Sequence, residues 1–255
     1  MPDLYILAGC NGAGKTTAST IVLPEIWKCK EFVNADNIAA ELCPSDPDSV
    51  AMEAGRIMLG KLDRLIREGA SFSIETTLST RSYMSLIKAA RAKGYTVTLL
   101  FFWLASPEVA IDRVASRVRK GGHDIPTDII RRRYGRGIQN LIDLYTGICN
   151  YWLVVSNMSG VPEMIAEGRF SEEIRIRDGA VWALIADQKQ YFDSVEEPGM
   201  PYSGSYAERI LQGIRKAVDI AIREAALKNE TMVIADKEGN IKHIPAVELL
   251  KGIPG

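Results

Sequence analysis

The sequence has few residues of the kinds that bind zinc or form disulfide bonds. Only four of its 255 residues are cysteine, no two of them in a C-x-x-C spacing, and only two are histidine. Zinc sites and disulfide frameworks need clustered or paired cysteines, so the composition argues against both. It favours reduced thiols in a cytoplasmic protein. The cysteines are Cys10, Cys29, Cys43 and Cys149.

The sequence also has no excess of charge of one sign and no long hydrophobic run. It carries 31 Lys and Arg against 32 Asp and Glu, so its net charge gives no indication of nucleic-acid or membrane binding. The longest apolar stretch, residues 97–105, is far shorter than the roughly 18 residues of a membrane span. No basic segment followed by a signal-peptide hydrophobic region opens the chain, which again favours the cytoplasm.

What the sequence does have is a phosphate-binding pattern. Residues 9–17 read Gly-Cys-Asn-Gly-Ala-Gly-Lys-Thr-Thr and follow the apolar residues 4–8. This gives G-x-x-x-x-G-K-[ST] the strand–turn–helix context that it requires. In such a loop, backbone N–H groups and the lysine bind phosphates, and the hydroxyl after the lysine ligates Mg²⁺. The pattern predicts ATP and Mg²⁺ as cofactors, with Thr16 as the metal ligand. The predicted nucleotide-binding residues here are Gly9, Asn11, Gly12, Ala13, Gly14, Lys15, Thr16 and Thr17.

Strands and helices alternate along the first part of the chain, which is typical of an α/β protein. We predict a P-loop kinase-like parallel five-stranded sheet flanked by helices, within a domain of residues 1–170. The five strands are expected at residues 4–8, 31–35, 71–74, 96–105 and 151–155.

Residues 171–255 are expected to form a C-terminal appendage of a helix and β-hairpins, packed on the main domain. One hairpin is predicted around Asp178-Gly179, over residues 174–185. A linker at residues 196–204, a helix at 206–228 and a second hairpin at 232–244 follow. An oligomer contact, a cover for a sheet edge and a partner site all remain open as roles for this segment.

Acidic and hydroxyl side chains follow two of the predicted strands. Asp36 follows the second strand, and Glu75-Thr76-Thr77 ends the third. Ligands of a parallel sheet bind outside the carboxyl ends of the strands, so these residues meet the loop if the strands are neighbours. One acid can then accept the proton of an attacking hydroxyl, and the other can orient the acceptor or hold a metal-bound water. The alternatives are a helix N-cap for Asp36 and a solvated strand end for Glu75.

A positively charged stretch, residues 111–137, carries eight basic side chains against three acidic ones. Arginines on a flap hinged at Gly121-Gly122 would close over ATP and neutralise charge, and we expect at least two of them to touch phosphates. Arg113 and Arg117 lie four apart on one helix face. A solvated helix face is the alternative. We expect His123 to serve as a loop residue. Asn157, after the fifth strand, is placed to contact adenine or else to form a turn.

Together these motifs resemble the zeta toxin family of P-loop kinases over about residues 3–160. The pieces that match, in family order, are residues 8–17, 32–36, 73–79, 113–118 and 121–124. The resemblance implies an ATP-dependent kinase that phosphorylates the 3′-hydroxyl of the amino sugar in UDP-N-acetylglucosamine. It further implies that Asp36 is the general base, that Glu75 binds the acceptor, and that Arg113 and Arg117 are catalytic flap arginines alongside Lys15. A small antitoxin partner is also typical of the family.

The leading hypothesis is therefore a kinase with a small-molecule hydroxyl acceptor, to which Asp36, Glu75, Thr76 and Thr77 would bind. Two alternatives remain. One is a nucleotide-binding regulatory ATPase, although no hydrophobic run ending in Asp of the motor type is present. The other is a toxin component held inactive by a bound antitoxin. The acceptor's identity does not follow from the sequence, because an acceptor pocket depends on how side chains are arranged in space.

Overall fold

The computed structural model describes residues 1–122, 124–190, 205–236 and 239–250. The strands of its central sheet are β1 (Asp3–Gly9), β2 (Glu31–Val33), β3 (Phe72–Thr76), β4 (Thr96–Trp103), β5 (Tyr151–Ser156), β6 (Glu163–Arg169) and β7 (Arg175–Ile176). Their order across the sheet is β2-β3-β1-β4-β5-β6-β7. Strands β1 to β5 are parallel, and β6 and β7 continue the sheet antiparallel.

The predicted parallel α/β sheet is confirmed, but the number of strands is wrong: the sheet has seven strands rather than five. Strand β6 lacks the expected alternation because it places a carboxylate, Glu167, in the buried layer. That carboxylate accepts a hydrogen bond from the Tyr151 hydroxyl and lies 3.6 Å from an Nη1 atom of Arg175. The sequence does not reveal the buried partners of such a polar residue, so the residue alone suggests a loop rather than a strand.

Nine α-helices lie between and after these strands in the part of the chain that the structure describes. They are α1 (Lys15–Ile21), α2 (Ala35–Leu42), α3 (Ala51–Glu68), α4 (Tyr83–Ala92), α5 (Pro107–Arg119), α6 (Thr127–Asn140), α7 (Gly179–Gln190), α8 (Ser205–Leu227) and α9 (Ala246–Leu250). Local residues explain several ends. Ser106 caps α5 by accepting a bond from the Val109 amide, and Gly69 ends α3 with a φ of 69°. Within this part of the chain, no helix is both long and apolar enough to cross a bilayer.

Helix α7 stands where a hairpin was predicted, so that prediction is wrong. Asp178-Gly179 is a helix start rather than a hairpin turn. The Asp178 carboxylate accepts a hydrogen bond from the Val181 amide at 3.1 Å, and its carbonyl accepts one from Trp182 at 2.9 Å. An aspartate that caps its own helix satisfies amides that a hairpin would pair across strands.

The C-terminal segment contains α8 and a hairpin of β8 (Thr231–Ala235) and β9 (Ile241–Pro245), which confirms both of these predicted elements. Helix α8 packs closely on the segment after α1: a Cβ atom on Gly213 would lie 2.7 Å from Cγ1 of Ile26. Lys216 and Glu25 form an ion pair at 2.7 Å in the same contact. The predicted linker at residues 196–204 lies outside the described residues.

One glycine of the sheet allows close packing and offers a test of stability. Gly168 pairs with Trp152, and a Cβ atom on it would lie 2.5 Å from the indole ring. We expect Gly168→Ala to lower the free energy of unfolding by about 1–3 kcal/mol through overpacking, measured by urea denaturation. The control is Gly55→Ala in α3, where the added methyl meets open space and should raise stability by roughly 0.5–1 kcal/mol. Equal midpoints for both variants would contradict this packing.

Candidate active site

The loop that follows β1 has glycine at positions where other residues would not fit. Gly9, Gly12 and Gly14 have φ angles of 137°, 77° and 93°. A Cβ atom on Gly9 would lie 2.4 Å from the Phe102 carbonyl oxygen, and one on Gly12 would lie 2.9 Å from that of Ala110. The loop thus needs glycine both for its backbone conformation and for its contacts. Left-handed residues in such a loop turn successive N–H groups to one side, where an anion binds.

Lys15 and Glu75 form a buried charged pair beside this loop. Their side chains are only 7% and 10% exposed, and Lys15 Nζ lies 3.7 Å from Glu75 Oε1. Lys15 also donates a hydrogen bond to the Cys10 carbonyl at 3.0 Å. Strand pairing explains the meeting of these residues, because Glu75 on β3 is in register with Leu7 on β1. The first and third predicted strands are therefore neighbours, as the convergence of their ends required.

Thr16 and Glu75 together supply the kind of oxygen atoms that Mg²⁺ binds. Thr16 Oγ1 donates to both carboxylate oxygens of Glu75, at 3.0 and 3.2 Å. Mg²⁺ prefers hard oxygen ligands and commonly uses one or two protein groups plus water and substrate phosphates. A hydroxyl and a carboxylate this close, next to a loop suited to phosphate, fit that cation. Thr16 would bind it directly, and Glu75 would bind it directly or through water.

Asp36 lies in the first turn of α2, directly after β2, and its side chain is exposed. The helix is capped by Asn34, whose Oδ1 accepts the Asp36 amide at 2.7 Å, so the alternative that Asp36 is the N-cap is wrong. Because β2 pairs with β3 in parallel, Asp36 lies at the same sheet edge as Glu75. Burial raises the pKa of the Tyr83 hydroxyl, and the Asp36 charge adds to this to a smaller degree.

The hydroxyls of Thr76 and Thr77 shape the turn after β3. Thr76 Oγ1 accepts the Leu78 amide at 3.0 Å, and Thr77 Oγ1 shares a hydrogen bond with Ser79 at 2.9 Å. Leu78 has a φ of 59°, which the Thr76 bond supports. The predicted role of these threonines in acceptor binding therefore competes with a local structural role.

The arginines of the charged stretch fall into different environments. Arg113 lies under the loop, where Nη1 donates to the Gly12 carbonyl at 3.5 Å and Nη2 to the Asn157 carbonyl at 2.7 Å. Arg117, one turn further along α5, is exposed. Arg133 on α6 reaches the loop itself, with Nη1 3.3 Å from Asn11 Oδ1. Arg133 is one of the eight basic side chains of residues 111–137, but no sequence motif identified it as a site residue. His123 lies outside the described residues.

Asn157 is buried against the phosphate loop. Its Nδ2 atom lies 3.4 Å from the Ala13 carbonyl, and a Cβ atom on Gly14 would approach that nitrogen to 2.5 Å. The contacts seen for Asn157 thus support the conformation of the loop at Ala13 and Gly14. The predicted contact with adenine stays a prediction.

Comparison with known protein families shows which family this chain belongs to. A model of the zeta toxin family matches residues 1–144, more than half of the chain. The chain belongs to the zeta toxin family. A second family model, described as a domain of unknown function, matches residues 201–255. An uncharacterized protein of Haemophilus influenzae is 31% identical over 126 residues, which are 49% of this chain and 88% of that protein.

Solved structures with a similar fold align with most of the chain. The structure is similar to a chain from the PezAT chromosomal toxin-antitoxin system of Streptococcus pneumoniae, with a TM-score of 0.56 and 17% identity over 86% of this chain and 87% of that chain. It is also similar to a chain of AvrRxo1-ORF1:-ORF2 with ATP, with a TM-score of 0.58 and 17% identity over 86% of this chain and 76% of that one. Membership of the zeta toxin family, on this P-loop kinase fold, identifies an ATP-dependent phosphotransferase of the kinase type.

The phosphate loop of this zeta toxin family member contains a buried free cysteine, Cys10. Burial raises the pKa of the Cys10 thiol to about 11, although the nearby Lys15 and Arg113 act in the opposite direction. The thiol is therefore neutral at physiological pH, and a neutral thiol is a poor nucleophile.

Proposed function

We propose that this protein transfers the γ-phosphoryl group of ATP to a hydroxyl of a nucleotide sugar such as UDP-N-acetylglucosamine. The observation that carries the proposal is the cluster of Lys15, Thr16 and Glu75 beside the glycine loop, with Asp36 at the same sheet edge. A cation suited to phosphate, a hydroxyl and a carboxylate suited to a metal ion, and a second, exposed carboxylate therefore lie outside the ends of three adjacent strands, which supports the proposal. Ligands of parallel sheets bind at such edges.

In this proposal, each of several residues has its own role in phosphoryl transfer. Asp36 accepts the proton of the acceptor's hydroxyl group. The hydroxyl oxygen bonds to the γ-phosphorus while the bond between that phosphorus and the leaving ADP oxygen breaks. Lys15 stabilises the negative charge on the phosphates, and Arg133, whose Nη1 lies 3.3 Å from Asn11 Oδ1, assists it. Mg²⁺, when bound at Thr16 and Glu75, supplies charge neutralisation on the phosphate oxygens.

The proposed function is tested by following the label of γ-labelled ATP. The protein is incubated with labelled ATP, Mg²⁺ and UDP-N-acetylglucosamine, and in parallel with a cellular metabolite pool resolved by mass spectrometry. We expect label in an acceptor and ADP release that depends on the acceptor. ADP release at an unchanged rate without any acceptor would instead support the alternative of a regulatory ATPase.

Glu75 allows a test of the proposed metal site. We expect Glu75→Gln to raise the Mg²⁺ concentration for half-maximal activity by about 10–100-fold, because an amide holds metal-bound water less well than a carboxylate. The measurement is turnover titrated with Mg²⁺ at saturating ATP. The control is Glu68→Gln at the exposed end of α3, which should titrate like the wild type. An unchanged Mg²⁺ titration for Glu75→Gln would remove Glu75 from the metal site.

We also propose that the protein is the toxin of a pair controlled by a small antitoxin. Membership of the zeta toxin family supports this, as does the shared fold with a chain of the PezAT toxin-antitoxin system. Expression in bacterial cells tests it: the wild-type chain should arrest growth and the Lys15→Ala variant should not. Normal growth with soluble, active wild-type protein would separate the kinase activity from toxicity.

A further inference from the structure

Arg113 joins three distant parts of the chain through backbone carbonyl groups. Its Nε donates to Val233 at 3.0 Å, and its Nη1 lies 3.5 Å from the Gly12 carbonyl oxygen. Its Nη2 donates to the carbonyls of Asn157 at 2.7 Å and Met158 at 3.1 Å. These acceptors belong to the phosphate loop, the segment after β5 and strand β8. One guanidinium thus links the loop to the C-terminal hairpin.

The hairpin makes further contacts with the same region. The Ala235 amide donates to the Met158 carbonyl at 3.1 Å, and a Cβ atom on Gly239 would lie 3.6 Å from that of Ala105, after β4. On the outer face of α5, Asp112 lies 3.2 Å from Nε2 of His243 on β9. A further ion pair joins Lys120, at the end of α5, to Glu230, before β8. The hairpin is therefore attached along the helix that carries Arg113.

Among the described residues, the Arg113 guanidinium donates its hydrogen bonds to carbonyl oxygens. No ion pair seen among residues 1–122, 124–190, 205–236 and 239–250 includes Arg113. Burial lowers the pKa of Arg113 to about 10, so the guanidinium is still protonated at neutral pH. A guanidinium suits this position because its planar donors reach several acceptors at once, which a lysine ammonium does not do with the same geometry.

We propose that the C-terminal hairpin holds the phosphate loop in its binding conformation, with Arg113 as the positioning residue that connects the two. The loop is held at two adjacent backbone carbonyls: that of Gly12 binds Arg113, and that of Ala13 binds the Asn157 side chain. Arg113 also binds the backbone carbonyl of Asn157. The hairpin lies within residues 201–255, the part that matches a domain of unknown function. This inference rests on the proposed function only for the identity of the loop's ligand.

Hydrogen exchange at the loop amides, measured without nucleotide or acceptor, tests the connection. Arg113→Lys keeps the charge and loses the fork of donors. Ala235→Pro removes the amide that binds Met158, and Ala235→Gly, which keeps that amide, is its matched control. We expect amides of residues 9–17 to exchange about tenfold faster in Arg113→Lys and Ala235→Pro, since each loses a hydrogen bond or two. Ala235→Gly should stay near wild type.

Kinetics provide a second readout that a general structural defect would not produce. With the loop poorly held, the KM for ATP should rise about tenfold in both variants while kcat at saturating ATP stays within about twofold, because bound phosphates restore the loop conformation. A matching loss of kcat would mean that Arg113 takes part in catalysis itself. Faster exchange spread evenly along the chain would mean that Arg113 only stabilises the fold, and either result would overturn the inference.

The outcomes also separate this inference from the proposed function. Faster loop exchange in a protein that phosphorylates no acceptor would leave the connection intact and defeat only the kinase proposal. Wild-type exchange at residues 9–17 in Arg113→Lys would overturn the connection whatever the activity. Should Ala235→Pro not fold, Arg113→Lys decides the matter by itself.

Discussion

Replacing Lys15 with alanine is expected to lower phosphoryl transfer by about 10²–10³-fold, the usual cost of removing one group that stabilises transition-state charge. The side chain is almost fully buried between the Cys10 carbonyl and Glu75, so its ammonium acts in a site that excludes much of the water. Electrostatic interactions are stronger there than at an exposed surface. We also expect weaker nucleotide binding, because the same cation contacts phosphates in the ground state.

The Lys15→Ala experiment needs turnover, nucleotide affinity and thermal unfolding from the same preparation. The control is Lys30→Ala, a lysine that is exposed before β2 and should behave like the wild type. Loss of Lys15 also leaves the Glu75 carboxylate without its cation, so some destabilisation is expected. Turnover within threefold of wild type in a folded Lys15→Ala protein would show that the loop does not bind the transferred phosphate.

Replacing Asp36 with asparagine is expected to lower acceptor phosphorylation by about 10²–10⁴-fold, the contribution typical of a general base. The amide keeps the size of the side chain but cannot accept the proton. Asn34, not Asp36, caps α2, so the substitution should leave the helix intact. Affinity for ATP should be nearly unchanged, because the contacts proposed for phosphate lie at the loop and Lys15.

A second acidic residue on α2 provides the matched control for the Asp36 experiment. Glu41→Gln removes an exposed carboxylate near the other end of α2 and should retain wild-type turnover. Turnover is measured with saturating ATP and acceptor, and affinity by titration with a nonhydrolysable ATP analogue. Undiminished turnover of Asp36→Asn would show that another group accepts the proton.

Much of the fold follows from local sequence. The strands β1, β4 and β5 are largely apolar because residues on both faces of the sheet are buried there, and such runs are easily recognised. The periodic apolar residues of α8 and the paired short runs of β8 and β9 were equally clear. Strand β6 was missed because the buried Glu167 interrupts its pattern, and α7 was missed because Asp178-Gly179 also suits a hairpin turn.

Part of the candidate site could likewise be predicted from local sequence, and the rest depended on the tertiary structure. The loop glycines, Lys15 and Thr16 form a motif of nine consecutive residues, 9–17, so their meeting needs no tertiary information. Asp36 and Glu75 could be proposed because both end strands, but only the order β2-β3-β1 brings their ends together. For the arginines, helical spacing placed Arg113 on a face of α5 without indicating what covered that face.

The sequence alone therefore determined the phosphate loop, the α/β class and the family, since each follows from short motifs or from the alternation of strands and helices along the chain. The tertiary structure decided which strands are neighbours and that Arg113 lies among carbonyls of the loop and of the C-terminal hairpin. The reason is that Arg113 and Val233 are 120 residues apart. No local pattern records such a contact, because it exists only once the sheet, α5 and the hairpin have packed together.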